Sequence, residues 1–299
     1  MGDQITYQKV ERGVYLSLGA YIFLSIVKLA IGIIYSSKAL VADGLNNTTD
    51  IIASVLVLIG LKISRKPADE DHPYGHLRAE TIASMASSFI MVFIGLEVLI
   101  SAVKSIFNPA LRTPSTLTAI VAIGGAIVMF AVYVINSKLA KVTGSQGLKA
   151  AALDNRSDSF VSLAAAVGIF GSQFGLPWLD PLAAIAVSMV ILKTGWDIFY
   201  ETSHNLSDGF DYKEGKDIER KILAVNGVED VSELKARKHG NRTIIDVTIR
   251  VDPTLNVIES HQITEEIEKK LEHHYNVESI QVHVEPLEKC DIKEKQDDH

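Results

Sequence analysis

Two stretches of one pattern, Leu45-Asn46-Asn47-Thr48-Thr49-Asp50 and Leu153-Asp154-Asn155-Arg156-Ser157-Asp158, lie inside long apolar runs. Carboxylates at hydrocarbon depth are costly, so where they occur they mark functional positions. Residues four apart on a helix share a face. Asn46 with Asp50, and Asp154 with Asp158, each present two oxygen-bearing groups side by side, and two such helices facing one another would make a cage of four oxygen ligands. The plain alternative is a polar patch lining a helix contact or capping a helix. A cap, however, needs one polar residue at a segment's end and not a spaced pair.

The second run carries more polarity than this pair. Asp43, Asn46, Asn47 and Asp50 fall at i, i+3, i+4 and i+7, a continuous stripe in which Asp43 and Asn47 are expected to stand behind the ligands or along the ion's path. Lys28 and Glu97 are the other ionisable residues deep in apolar sequence, and either could snorkel, pair or neighbour that path. In the loop Asp69-Glu70-Asp71-His72-Pro73-Tyr74-Gly75-His76, the two histidines with Asp69 or Asp71 could ligate a zinc-like ion. A charged loop whose histidines satisfy backbone groups is the equal alternative.

These residues must be positioned by helices. Apolar runs at about 13–36, 39–62, 80–106, 115–137, 148–172 and 178–200 each approach the roughly 20 residues a spanning helix needs. Six spans put both termini on one side. Lys9, Arg12, Lys62, Arg65, Lys66, Arg78, Lys138, Lys141 and Lys149 cluster there, against little beyond Lys38, Lys104 and Arg112 opposite, so the termini are expected in the cytoplasm. Spans two and five then run in opposite directions while sharing their pattern, with Ser54 echoed by Ser162 and Gly60 by Gly168, as in an inverted repeat. Ala83, Ser84, Ala86, Ser87 and Ser88 give span three a small-residue surface for close helix packing. No cleavable signal peptide is expected, because the first apolar run is long enough to span.

After residue 202 the composition changes. From residue 203 onward there are 14 Lys+Arg against 22 Asp+Glu, which leaves 15 against 14 before it, so the net charge of -7 belongs to this second part. That balance argues against a nucleic-acid partner, which requires clustered positive charge, and favours small cations. A helix at about 212–225, strands at about 229–237 and 243–251 around the Lys238-His239-Gly240-Asn241 turn, a helix at 258–274 and a strand at 278–285 make an αββαβ unit. Seven of the nine histidines lie in this part. His261 on the last helix, with His283 and Glu285 on one face of the last strand, are candidates for a regulatory metal site, whereas His273, His274 and His299 read as solvated. The single cysteine, Cys290, excludes an intrachain disulfide. The expected fold is a six-helix transmembrane bundle (1–202), an α+β domain (203–286) and a charged, disordered tail (287–299).

Ala42-Asp43-Gly44-Leu45-Asn46-Asn47-Thr48-Thr49-Asp50, Asp71-His72-Pro73-Tyr74-Gly75-His76, Asp154 through Asp158 and Asp180-Pro181 together resemble the cation diffusion facilitator family of divalent-metal transporters. The resemblance covers nearly the whole chain. It implies a homodimer of six-helix protomers in the cell membrane, a transport site from spans two and five, proton-coupled efflux, and a ferredoxin-like cytoplasmic domain binding metal at the dimer interface. Zinc-transporting members place a histidine in one of the pairs; the set here, Asn46, Asp50, Asp154 and Asp158, resembles the manganese branch. Ser232 and Thr248 stand where some zinc members carry histidines, leaving His261, His283 and Glu285.

The chemistry agrees. Three carboxylates and an amide oxygen form a hard shell, suited to manganese or magnesium more than to zinc, which gains from imidazole or thiolate. Magnesium keeps its waters and takes few protein ligands. Mn2+ is therefore the expected cargo, with Zn2+, Fe2+, Co2+ or Cd2+ as the alternative. No organic cofactor is expected, and with no nucleophile elbow, phosphate-binding loop or His-Glu-x-x-His pattern, neither is an enzyme. A membrane-anchored metal sensor is the reading of a different class, but an anchor has no use for Asp50, Asp154 and Asp158.

Overall fold

The computed structural model describes the backbone of residues 2–107, 114–143, 146–240 and 242–287, without the side chains at 2–11, 143, 146, 147 and 150. Arg112, Asn241, Cys290, His299, the Lys9 side chain and the tail beyond Leu287 lie outside the described residues.

Six long helices come first: α1 (Gly2–Ile34), α2 (Lys38–Ser64), α3 (Arg78–Ile106), α4 (Thr116–Thr143), α5 (Gln146–Gln173) and α6 (Leu179–Leu206). Five of them are long and apolar enough to cross a membrane; α5 is the exception. Its length matches its neighbours, but Lys149, Asp154, Arg156 and Asp158 crowd its first half. The polar side of α5 is turned inward, with Asn155, Asp158, Ser159 and Ser162 all buried, while Val167 is 66% exposed. Large apolar side chains also face outward on the other helices, including Phe23, Ile26, Phe93 and Ile127. Exposure of this kind marks a lipid-facing surface rather than a soluble one.

Contacts divide the chain into two compact units, residues 1–58 with 84–199, and residues 59–83 with 200 onward. In the first unit small residues let helices approach. Ala39 and Leu40 of α2 pack with Ala119 and Ala122 of α4, Ala165, Ala166 and Ile169 of α5, and Ala183 of α6. Ala42 joins Met91 and Val98 of α3 and Ala184 and Val187 of α6. The small-residue surface of α3 is used in part: Ser87 and Ser88 are buried, and a Cβ on Gly195 of α6 would stand 3.3 Å from the Ser88 carbonyl.

Helix directions follow from paired contacts. Ser17 meets Asn155, Tyr21 meets Asp158 and Lys28 meets Ser162, so α1 and α5 are parallel. Asn46 meets Asp158 and Asp43 meets Ser162, so α2 runs antiparallel to α5. The two glycines of the repeated pattern also have matching roles. A Cβ on Gly60 would lie 2.7 Å from Ala83 Cβ and 3.0 Å from the Ala79 carbonyl, and one on Gly168 would lie 2.2 Å from Ala183 Cβ and 2.9 Å from the Leu179 carbonyl. Each permits the opening turns of the following helix to close on it.

In the second unit α7 (Tyr212–Leu223), β1 (Asp230–His239), β2 (Arg242–Val251), α8 (Val257–His274) and β3 (Val277–Pro286) form the αββαβ unit read from the pattern. The sheet order is β1-β2-β3, β1 antiparallel and β3 parallel to β2. Ile218 and Ile222 of α7, Ile267 and Leu271 of α8, and Ile245, Val247, Ile249 and Val251 of β2 make one core, so both helices cover the same face. Asn256 begins α8 with a capping box, accepting from the Ile258 and Glu259 amides while Glu259 accepts from the Asn256 amide. Gly240 turns β1 into β2 at φ 62°, and a Cβ there would meet the Leu77 carbonyl at 2.6 Å, so both its backbone and its neighbour require glycine.

Candidate metal centre

The antiparallel crossing of α2 and α5 brings Asn46 of one oxygen pair against Asp158 of the other. The Asn46 amide donates to Asp158 Oδ1 at 3.0 Å and lies 3.5 Å from Asp50 Oδ2, so one neutral N–H2 group separates two carboxylates. Rotating that amide would present its carbonyl oxygen to a cation instead. Tyr21 of α1 donates to the other oxygen, Asp158 Oδ2, at 2.8 Å. Asn46 and Asp158 are buried, Asp50 is half-buried and Asp154 is exposed. Asp154 shares no hydrogen bond with the other three among the described contacts. Three of the four residues are thus linked directly, and the fourth lies one turn of α5 towards its N-terminus.

Asp43 and Asn47, on the same stripe, are fully buried and bound to a residue of another helix. Lys28 Nζ donates to Asp43 Oδ1 at 3.0 Å, to Asn47 Oδ1 at 2.8 Å and to Ser162 Oγ at 2.8 Å, and Ser162 donates to Asp43 Oδ1 at 3.0 Å. Lys28 therefore pairs rather than snorkels. Glu97, the other deep ionisable residue of the apolar sequence, is exposed on α3. Ser17, Tyr21, Ser25 and Lys28 form a polar stripe on α1 that meets Asn155, Asp158, Thr48 and the Asp43 cluster in turn. Sequence reasoning passed over this stripe except for Lys28. Its spacing of four, four and three was the available signal.

Asp180 belongs to a different task. Its carboxylate accepts from Ser37 Oγ at 2.6 Å and from the Lys38 amide at 2.7 Å, and it is 2% exposed. The start of α6 thereby satisfies the free amides and the positive end of α2, which has no acid of its own in its first turn.

In the second unit Asp69, His72 and His76 offer ligand atoms within 4.8 Å of one another, which among the described residues is the one such group of three His, Cys, Asp or Glu side chains. Asp69 is the carboxylate brought to the imidazoles: its oxygens lie 3.3 Å from His72 Nδ1 and 3.5 Å from His76 Nε2. The His72 backbone amide, donating at 2.7 Å, holds the Asp69 carboxyl below its ordinary range, ready as an anion. The other His76 nitrogen, Nδ1, is buried without a hydrogen bond.

His261, His283 and Glu285 are not brought together within one chain. Ile280, Val282 and Val284 face the core beneath the helices, so His283 and Glu285 point to the opposite face of the sheet, 3.9 Å apart, while His261 on α8 stands 3.5 Å from Glu265. On that open face Arg250 lies 3.9 Å from Glu285 and 3.7 Å from Asp230. Ser232 and Thr248 occupy the same region, with Ser232 Oγ 3.4 Å from the Thr248 carbonyl.

Comparison with known proteins divides the chain between residues 207 and 211. Residues 14–207 match the model of the cation efflux transmembrane domain, and residues 211–287 that of the cation efflux protein cytoplasmic domain. The chain is 50% identical over 281 residues to the manganese efflux system protein MneS of Bacillus subtilis, covering 94% of this chain and 97% of that one. It is 48% identical to the uncharacterized transporter YdbO of the same organism over 93% of this chain and 96% of that one, and 29% identical to its manganese efflux system protein MneP over 93% and 97%. With helices of spanning length, a crossed pair of oxygen-bearing motifs and both domain models matched, the chain is a multi-pass membrane protein that belongs to the cation efflux, or cation diffusion facilitator, family of transporters.

Proposed function

We propose that this protein exports Mn2+ from the cytoplasm in exchange for protons, with Asn46, Asp50, Asp154 and Asp158 as the ligands of the moving ion. The observation that carries the reading is the Asn46–Asp158 contact, which joins a residue of one oxygen pair to a residue of the other, with no imidazole or thiolate among the four. An all-oxygen shell suits a hard divalent ion. Similarity to proteins named as manganese efflux systems supports the same metal. Metal and proton compete for the same carboxylate oxygens, which supplies a means of coupling.

The acting unit is a homodimer with both termini in the cytoplasm. The matched cytoplasmic domain and the excess of lysine and arginine at one end of the spans support this arrangement. Asp69, His72 and His76 form a second, mixed nitrogen and oxygen metal position outside the pathway. His261 could join His283 and Glu285 only across two protomers. The test is Mn2+ uptake into proteoliposomes holding the purified chain. Flux that is present in wild type and abolished by Asp50→Ala, with the variant still monodisperse, is the expected result. Wild-type protein that binds Mn2+ but carries none would favour the sensor reading.

A further inference from the structure

The polar stripe of α2 does not end at the proposed transport site. One turn towards the N-terminus of α2, Asp43 Oδ1, Asn47 Oδ1 and Ser162 Oγ converge on a single point at 3.0, 2.8 and 2.8 Å, and that point is occupied by Lys28 Nζ. This is again a set of oxygens from α2 and α5, and here it surrounds a positive charge. The ammonium is tethered to α1, and lysine and aspartate are both 0% exposed. Room for it is provided by Gly125 of α4, where a Cβ would come within 2.6 Å of Lys28 Cε. Asp43 Oδ2 and Asn47 Nδ2 are buried with no hydrogen bond, so the cluster retains unused polar capacity. Asp50 and Asp154, on the other side of the Asn46–Asp158 contact, are half-buried and exposed.

The geometry points to Lys28 as a built-in cation that fills a second oxygen cage next to the transport site, closing the polar path on that side and repelling the transported metal. The inference rests on Asn46, Asp50, Asp154 and Asp158 being the transport site. Among the described contacts Lys28 shares no hydrogen bond or ion pair with these four residues, so it is a positioning and affinity-setting residue rather than a ligand. Its ammonium nevertheless contacts Asn47 and Ser162, each one helix turn from Asp50 and Asp158 respectively. A buried unit charge acts strongly on a divalent neighbour because the surrounding dielectric is low. Structural stabilisation alone predicts something different: removal of either partner of a buried pair should damage the site in the same direction.

The experiment measures Mn2+ binding to the full chain in lipid nanodiscs, reading free Mn2+ by electron paramagnetic resonance. All variants carry Asp69→Ala, His72→Ala and His76→Ala so that the loop contributes nothing. Lys28→Met keeps the stem and removes the charge, leaving the Asp43 cage open to metal, and should tighten Mn2+ binding by roughly tenfold or raise the bound stoichiometry. Asp43→Asn leaves the ammonium without its partner charge and should weaken binding by roughly tenfold. The double variant Lys28→Met/Asp43→Asn should return towards the parent. Opposite signs support the inference; shifts in the same direction, or no shift in either, overturn it. If Lys28→Met does not purify folded, Lys28→Gln, whose neutral amide can still donate to Asp43 and Asn47, takes its place: tighter binding supports the inference, and unchanged or weaker binding overturns it. Asp50→Ala separates the two readings, since full binding in that variant would dispose of the transport site itself and not of the charge effect.

Discussion

At the scale of single residues, the four proposed ligands differ in what they contribute. Asp50, Asp154 and Asp158 supply charge, while Asn46 supplies a neutral amide that in this structure holds Asp158 by its N–H2 and lies beside Asp50. Replacing that amide with an imidazole adds a nitrogen donor, which zinc favours over manganese. Asn46→His should therefore raise the ratio of zinc to manganese flux, measured in competition in proteoliposomes. A ratio equal to wild type, with both fluxes lowered in proportion, would mean that Asn46 never touches the ion. Tyr21 belongs beside these residues: its hydroxyl occupies Asp158 Oδ2, so an ion taking both Asp158 oxygens must displace it.

At the scale of elements, the helices depend on glycines placed where the next helix closes. Gly60 and Gly168 each face the opening turns of the following helix, Ala79 and Ala83 in one case and Leu179 and Ala183 in the other. Gly168→Ala inserts a methyl 2.2 Å from Ala183 Cβ, which the helices can accept only by separating. Overpacking of this kind costs about 1–3 kcal/mol, so the apparent melting temperature in detergent should fall, and Gly60→Ala should lower it as well. Gly19 and Gly124 have nothing within 4 Å of a Cβ. Alanine there should be neutral or stabilising, since glycine is the poorer helix former by about 1 kcal/mol. Equal effects at all four positions would remove the close-packing explanation.

At the scale of the whole molecule, the charge distribution bears on transport. The part before residue 203 is nearly neutral, 15 basic against 14 acidic residues, yet it concentrates Asp43, Asp50, Asp154 and Asp158 on two helices with Lys28 as the opposing buried charge. Three carboxylates around one divalent ion leave the loaded site net negative, and protons are the natural occupants of those oxygens when the metal departs. In proteoliposomes, uphill Mn2+ movement should therefore require a pH gradient and acidify the compartment that loses metal. Transport that continues with the gradient collapsed and moves no protons would exclude the coupling.

Much of this was legible in the chain because membrane sequences are constrained in one dimension. A spanning helix must satisfy its backbone internally, so hydropathy marks five of the six long helices, α5 being the one it does not, and a carboxylate at depth is conspicuous against its neighbours. The spacing of Asn46 with Asp50 and of Asp154 with Asp158 likewise placed each pair on one helix face, and the strand and turn pattern after residue 203 carried the αββαβ order. What the chain could not disclose were contacts between helices distant in sequence, because periodicity gives a face but not its partner. Lys28 was one deep lysine with several possible fates until the fold set it among Asp43, Asn47 and Ser162. Asp180 was half of a motif until it appeared at the N-terminus of α2, and His283 and Glu285 shared a strand face with no sign that the sheet would keep His261 on its other side. In each case helix and sheet packing, which buries polar groups only where partners await them, decided what local sequence left open.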